Sequence, residues 1–406
     1  MDRSVESMNI NIQASRESGS FTAGTSRNPS ETAAKFPDVV SIKDFGAVGD
    51  AKTDDTVAIQ TAIDHATSRS PYGGRLSCPL GTYLISATIV IQNVTGLIFT
   101  AEGWCKFTWV GNSTDPMFDL RDVAFGLFEG LQIYGNASHF LVEGFRLENG
   151  PEKLVTPSSN RFVNVYIEGV NGYIGEGFRI YADGSGGDNN NDFHSFTNVW
   201  VSNYSNTAFS LEATQAQYIH FTDTHCQAGS VGHYCVSGGD SRHGAAASFI
   251  WEGGFTGSNA KADFLLRCNV ARQPYILRGL SSEASSRFID SQSACGSYSP
   301  LTIDGVRWAS NGLNSDGQAI RIQFPGPITI RDSRIGESYS QAVRIYWNYV
   351  KGFSRPLFSI ENSTIEGSLS DAFAIFAGVS PTSLRGVTAQ ISDTRTVNLD
   401  HSAPRQ

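Results

Sequence analysis

No run of about 18 apolar residues occurs anywhere in this sequence, so no transmembrane helix is expected. Charge is also scarce. Asp, Glu, Lys and Arg make up 17% of the 406 residues, and the net charge is −9. Such a surface has no general attraction for nucleic acid or an anionic membrane, and neither is expected as a partner. It still permits an acidic glycan held by local arginines. Cysteine is sparse: Cys78, Cys105, Cys226, Cys235, Cys268 and Cys295 form no CxxC pair and no zinc-type spacing. In a chain this long they read as buried small apolar residues rather than a disulfide framework, with a hairpin-like Cys226–Cys235 bridge left open. No metal and no cofactor is expected. The stretch Met1–Ser30 lacks the apolar core of a signal peptide.

Glycine and aromatic residues are plentiful, at 41 glycines and 11% Phe, Trp and Tyr, which suits a turn-rich β protein. Helical period appears once: Val57, Ala58, Ile59, Ala62, Ile63 and Ala66 follow Asp54-Asp55, predicting one amphipathic helix over Thr56–Thr67. Short alternating segments then take over, separated by Gly, Asn, Asp and Ser. Phe162–Ile167, Phe196–Val201, Ile303–Trp308, Ile330–Ile335 and Ile360–Ile365 resemble one another, with looser copies from Phe221, Trp251 and Leu277. A second series includes Phe178-Arg179-Ile180, Phe209-Ser210-Leu211, Phe264-Leu265-Leu266 and Ile320-Arg321-Ile322. Repeats of roughly 26–30 residues holding at least two strands and no helix predict stacked coils of a right-handed parallel β-helix.

Alternation along each strand fixes which side chains face out. It places Glu252, Arg278, Asp304, Arg331 and Glu361 in one column of alternating sign, read as a surface charge ladder. Tyr166, Trp200, His225 and Arg307 fall in another. Outward apolar positions at Ile250, Leu265, Ile276 and Ile289 suggest a subunit interface.

The segment Ser41-Ile42-Lys43-Asp44-Phe45-Gly46-Ala47-Val48-Gly49-Asp50, with Thr53–Ile63 and Pro79-Leu80-Gly81-Thr82-Tyr83 after it, resembles the opening motif of the pectate-lyase-superfamily β-helix. Phage tailspikes and bacterial polysaccharide-degrading proteins share such heads. The resemblance is specific over about residues 39–100. It implies a leader or adaptor over 1–37, a head with a capping helix over 38–100, a β-helix over 101–400 and a tail over 401–406. It implies a polysaccharide depolymerase, hydrolase favoured over lyase, located outside the cell or on a virion tail, with a polysaccharide as substrate and a homotrimeric assembly. A glycan-binding β-helix without catalysis and a bacterial enzyme acting on an environmental polysaccharide are the alternatives. The polygalacturonase signatures are missing; Val231-Gly232-His233-Tyr234 and Arg321-Ile322-Gln323 are the nearest strings. Asp54 and Asp55 are read as structural.

Glycan cleavage needs two carboxylates about the scissile bond, or a base with charge neutralisation for elimination. The middle coils are richest in such groups. The catalytic candidates are Asp192, Glu212, Asp223, His225 and Glu252. The candidates for substrate contact are Tyr166, Arg179, His194, Trp200 and Arg307. The Gly/Asn-rich run Asp183–Asp192 is read as a turn rather than a calcium loop.

Overall fold

The computed structural model describes residues 39–377, apart from 69–70, 150–154, 171–173, 183–189, 214–215, 229–231, 239–247, 268–272, 293–298, 310–317, 323–326, 339–342, 348–357 and 368–372. The expected leader, the tail and most of the Asp183–Asp192 run lie outside the described residues. Within them the chain is a parallel β-helix. Each coil runs through three strands, and each strand pairs in parallel with its counterpart on the next coil. The first ladder includes Ser195–Thr197, Ile219–Thr222, Phe249–Glu252 and Tyr275–Arg278. The second includes Tyr166–Glu168, Trp200–Ser202 and His225–Gln227. The third includes Leu141–Glu148, Ile174–Tyr181, Tyr204–Leu211 and Tyr234–Gly238.

A tight corner joins the first two strands of each coil. Its residue lies at positive φ: Asn164, Asn198, Asp223, Gly253, Gly279, Gly305, Asp332 and Asn362. Asn, Asp and Gly tolerate that region best, which explains the repeated turn letters in the sequence. The Asn198 side-chain amide also donates to the Asn164 carbonyl oxygen at 2.7 Å, tying one coil to the next.

The core is an interlocked pair of aromatic columns. Phe128, Phe162, Phe196, Phe221 and Trp251 stack from coil to coil in the first column, with centroids 4.7–5.2 Å apart. Phe118, Phe145, Phe178 and Phe209 stack in the second at 5.1–5.3 Å. The columns meet edge to face, as Phe178 does with Phe162 and Phe196 at 5.0 and 4.9 Å. Such geometry adds to the burial of the rings themselves.

The single α-helix among the described residues, Thr56–Ala66, lays Ile59, Ala62, Ile63 and Ala66 against this core. Asp54 accepts from the Thr56 backbone N–H at 3.0 Å. Asp55 accepts instead from the Val48 and Gly49 N–H groups at 2.6 and 3.1 Å. Both acids are structural, as expected.

The charge ladder forms in the expected register. Arg278 bridges Glu252 at 2.7 Å and Asp304 at 3.3 Å, and Arg331 meets Asp304 at 2.6 Å. These pairs are half exposed, so each contributes little. Glu252→Gln is expected to shift unfolding free energy by less than about 1 kcal/mol in a urea titration.

Two expectations need correction. Cys78 is disulfide-bonded to Cys105 and Cys226 to Cys235, with Cα separations of 5.9 and 5.7 Å. Cys78 lies on Arg75–Ile85 and Cys105 on Ile98–Trp109, strands that pair in parallel on successive coils, and both are buried. Cys226 and Cys235 face inward from the second and third strands of one coil. Cys268 and Cys295 lie outside the described residues. Second, Leu265 and Ile289 are buried, not wet outward residues. Ile289 pairs with core Phe264, and Leu265 packs with Tyr234 and Ala262. Only Ile250 and Ile276 of that set remain partly open.

Candidate active site

The outer face of the third ladder carries the densest set of ionisable groups. Its origin is a repeated tetrapeptide. Glu143-Gly144-Phe145-Arg146 recurs as Glu176-Gly177-Phe178-Arg179, and the two copies stack in register. Strict alternation would turn the acid inward with the phenylalanine. The glycines break it. A Cβ on Gly144 would press on Ile167, and one on Gly177 on Val201, both core residues, so the glycines themselves face in. Two successive inward positions throw each glutamate to the outside, as a bulge does.

Glu143 is buried and accepts from Arg146 at 2.7 and 2.9 Å and from Arg179 at 3.0 Å. The Arg179 guanidinium also grips Glu212 on the next coil, through Nη2 at 2.6 Å and Nε at 3.1 Å. Ser210 donates to the other Glu212 oxygen at 3.1 Å. Glu176 lies between these coils and is 8% exposed. The Asn206 amide donates to its Oε1 at 2.6 Å, whereas its Oε2 is buried without a hydrogen-bond partner. Glu176, Asn206, Ser210, Glu212, His233 and Lys261 line a cleft of about 240 Å³.

Electrostatics separates the two cleft carboxyls. Burial, then the charges of Glu212 and Glu143, push Glu176 up to about 8. It therefore carries a proton at neutral pH. Glu212 is ion-paired with the guanidinium of Arg179. Burial, then the charge of Lys261, lowers His233, so its imidazole is neutral. Higher on the same face, burial and the Asp119 charge raise Glu148 to about 7.

The expected site residues do not converge. Glu212 lines the cleft, and Arg179 is bonded to it. Glu252 belongs to the exposed charge ladder on the first strand. Asp223 occupies a positive-φ corner. Tyr166, Trp200, His225 and Arg307 form the expected outward column, but on the second strand. There His225 stacks on Trp200 at 4.6 Å, and Tyr166 donates to Glu168 at 3.0 Å. Asp192 sits at the corner entering the first strand, bridged to Ser158. His194 is not a contact residue. It is wholly buried, bonded to Asn191 at 2.7 Å and accepting from the Asn160 N–H at 3.2 Å, and burial lowers it to about 3. Sequence reasoning missed Glu176, Lys261, His233 and Tyr234. The repeated Glu-Gly-Phe-Arg tetrapeptide was the signal available for Glu176. His233 and Tyr234 stood in a string set aside because it departs from a known signature.

A parallel β-helix whose third-strand face holds an acid cluster defines a class of protein. The chain has the parallel β-helix fold and resembles pectate-lyase-like proteins over part of its length. Residues 39–233 match the family described as rhamnogalacturonase A/epimerase, pectate lyase-like. Glu143, Glu176, Arg179, Glu212 and His233 lie inside that match. Among curated proteins, plasmin and fibronectin-binding protein A of Streptococcus pneumoniae is 45% identical over 58 residues, 14% of this chain and 8% of that one. Alginate lyase 7 of Azotobacter vinelandii is 54% identical over 46 residues, 11% and 5% of the two chains. The chain thus covers less than a tenth of the curated relatives it matches. Among solved structures, the Agl-KA catalytic domain superposes with a TM-score of 0.53 at 13% identity, over 88% of this chain and 65% of that one. The mannuronan C-5 epimerase AlgE6 A-module of Azotobacter vinelandii gives 0.50 at 16%, over 86% and 98%. The N-terminal fragment of bacteriophage Phi29 gene product 12 gives 0.53 at 13%, over 86% and 65%. At these identities the likeness is one of fold.

Proposed function

We propose that the chain is a polysaccharide-cleaving enzyme, a glycoside hydrolase in preference to a lyase, with its catalytic centre in the third-ladder cleft. One observation carries the reading. A buried glutamic acid that holds its proton at neutral pH shares a cleft with an arginine-bound carboxylate. Paired carboxyls whose environments drive their proton affinities apart are what acid-assisted glycoside cleavage requires. Glu176 is the proton donor to the leaving oxygen. Glu212 supplies the second carboxylate, as nucleophile or as base for water. Lys261 and His233 also line the cleft and contact the sugar. An oxidising environment, where disulfides persist, fits an enzyme acting outside the cell or carried on a virion. The fold likeness to a bacteriophage gene product is compatible with the second.

The test is incubation with a panel of bacterial capsules, O-antigens and plant and microbial glycans. New reducing ends without ultraviolet absorbance from an unsaturated uronate mark a hydrolase. Reducing ends with that absorbance would reassign the chemistry to elimination. Binding without new ends would remove the catalytic reading.

The pH profile follows from Glu176. Its acid form is the active one, so kcat/KM is expected to fall tenfold per unit as pH rises through about 8. The sign for stability is the same. Folding raises this carboxyl from 4.5 to about 8, so the stability it contributes is fully present below 4.5 and lost as pH rises to about 8. A rate that keeps rising above pH 9 would exclude Glu176 as the acid.

A further inference from the structure

We propose that Phe125, Phe193 and Tyr218 form a sugar-stacking subsite on the corner that leads from the third strand into the next coil. The proposal rests on the glycan reading of the cleft. Among the described residues, aromatic side chains adopt positive φ only at these three positions, with φ of 55°, 58° and 53°. Bulky side chains disfavour that region, so each ring is held there at a cost in backbone energy. All three are exposed, Phe125 by 59%, Phe193 by 52% and Tyr218 by 37%. Packing in the core therefore does not repay the cost.

The three positions belong to one column. The Phe125 N–H donates to the Ser158 carbonyl, the Ser159 N–H to the Asp192 carbonyl and the Phe193 N–H to the Gln217 carbonyl, at 2.9–3.0 Å. Successive coils thus present Phe125, Ser159, Phe193 and Tyr218. Phe193 and Tyr218 stack with centroids 5.2 Å apart and planes within 1°. On the other side of Phe193 the column carries only a serine. The Phe125 and Phe193 corners stand two coil spacings apart, about 9.6 Å. That leaves room for one saturated ring seated over Ser159. Phe193 and Tyr218 come next in the chain after the third strands Ile174–Tyr181 and Tyr204–Leu211, whose coils also carry Glu176 and Glu212. Its surroundings are polar: Ser158, Ser159, half-buried Asp192 and Gln217 offer hydroxyl partners. Aromatic faces amid hydrogen-bonding groups fit a pyranose, which has an apolar C–H face and a polar rim. They fit an apolar protein partner less well.

The test separates binding from turnover by using Glu176→Gln protein on a printed array of bacterial and plant glycans. The single-site variant is expected to bind at least one glycan. Adding Phe193→Ala and Tyr218→Ala should lower the bound signal at least tenfold, and Phe125→Ala alone several-fold. Melting temperatures should not fall, and Phe193→Gly should raise the melting temperature by relieving the backbone. Unchanged glycan binding in the aromatic variants overturns the subsite, as does an array on which Glu176→Gln protein binds nothing. A switch to smaller mass in light scattering overturns it too, since the rings would then bury a second copy of the chain. Reducing-end release by the wild type is scored separately. Cleavage with unaltered binding in the aromatic variants sinks the subsite alone. Binding that depends on the rings, without cleavage, sinks the catalytic reading alone.

Discussion

Glu176→Gln is expected to lower turnover by roughly two to four orders of magnitude on whichever glycan the wild type cleaves. The amide preserves the shape of the side chain and its contact with Asn206, but it has no proton to give. Folding is expected to survive. At pH above about 8 the variant should be more stable than the wild type, because the buried carboxylate is gone. A thermal melt beside the activity assay checks both halves. Retained turnover in Glu176→Gln would move the proton donor elsewhere, with Glu148 on the same face next in line. Glu252→Gln is the matched control: it removes a carboxylate of the charge ladder and should leave turnover unchanged.

Phe178→Ala is expected to cost about 3–5 kcal/mol of stability, read from denaturant midpoints. Its ring touches four others: Phe145, Phe162, Phe196 and Phe209, all within 5.3 Å. Truncation therefore opens a void across three coils. In a stacked array each coil leans on its neighbours, so the loss spreads along the axis. Activity should fall as well, since the next residue is Arg179, which holds Glu212. A loss under about 1 kcal/mol would mean the columns can collapse around the gap.

The coil repeat was legible because it is a matter of period. Side chains alternate along a strand, and Asn, Asp and Gly mark the corners where φ is positive. Those two facts sufficed to place Glu252, Arg278, Asp304, Arg331 and Glu361 in one ladder, and Tyr166, Trp200, His225 and Arg307 in another. The helix over Thr56–Ala66 followed from its apolar spacing in the same way.

The site was only half legible. Glu212 and Arg179 sat at outward positions of a strand, and simple alternation found them. Glu176 stood at a position that alternation assigns to the interior, and only the inward-facing Gly177 turns it out. His194 looked available because it follows the Gly/Asn-rich run, yet it is buried against Asn191 and Asn160. The cysteines were misread because their pairing depends on which coils lie side by side. Sequence by itself determined the coil, its repeat and the identity of the column neighbours, since these depend on local period and turn chemistry. Tertiary structure alone decided which acid is buried, which is paired and which face holds both, because burial and charge proximity are properties of stacked coils and not of any one strand.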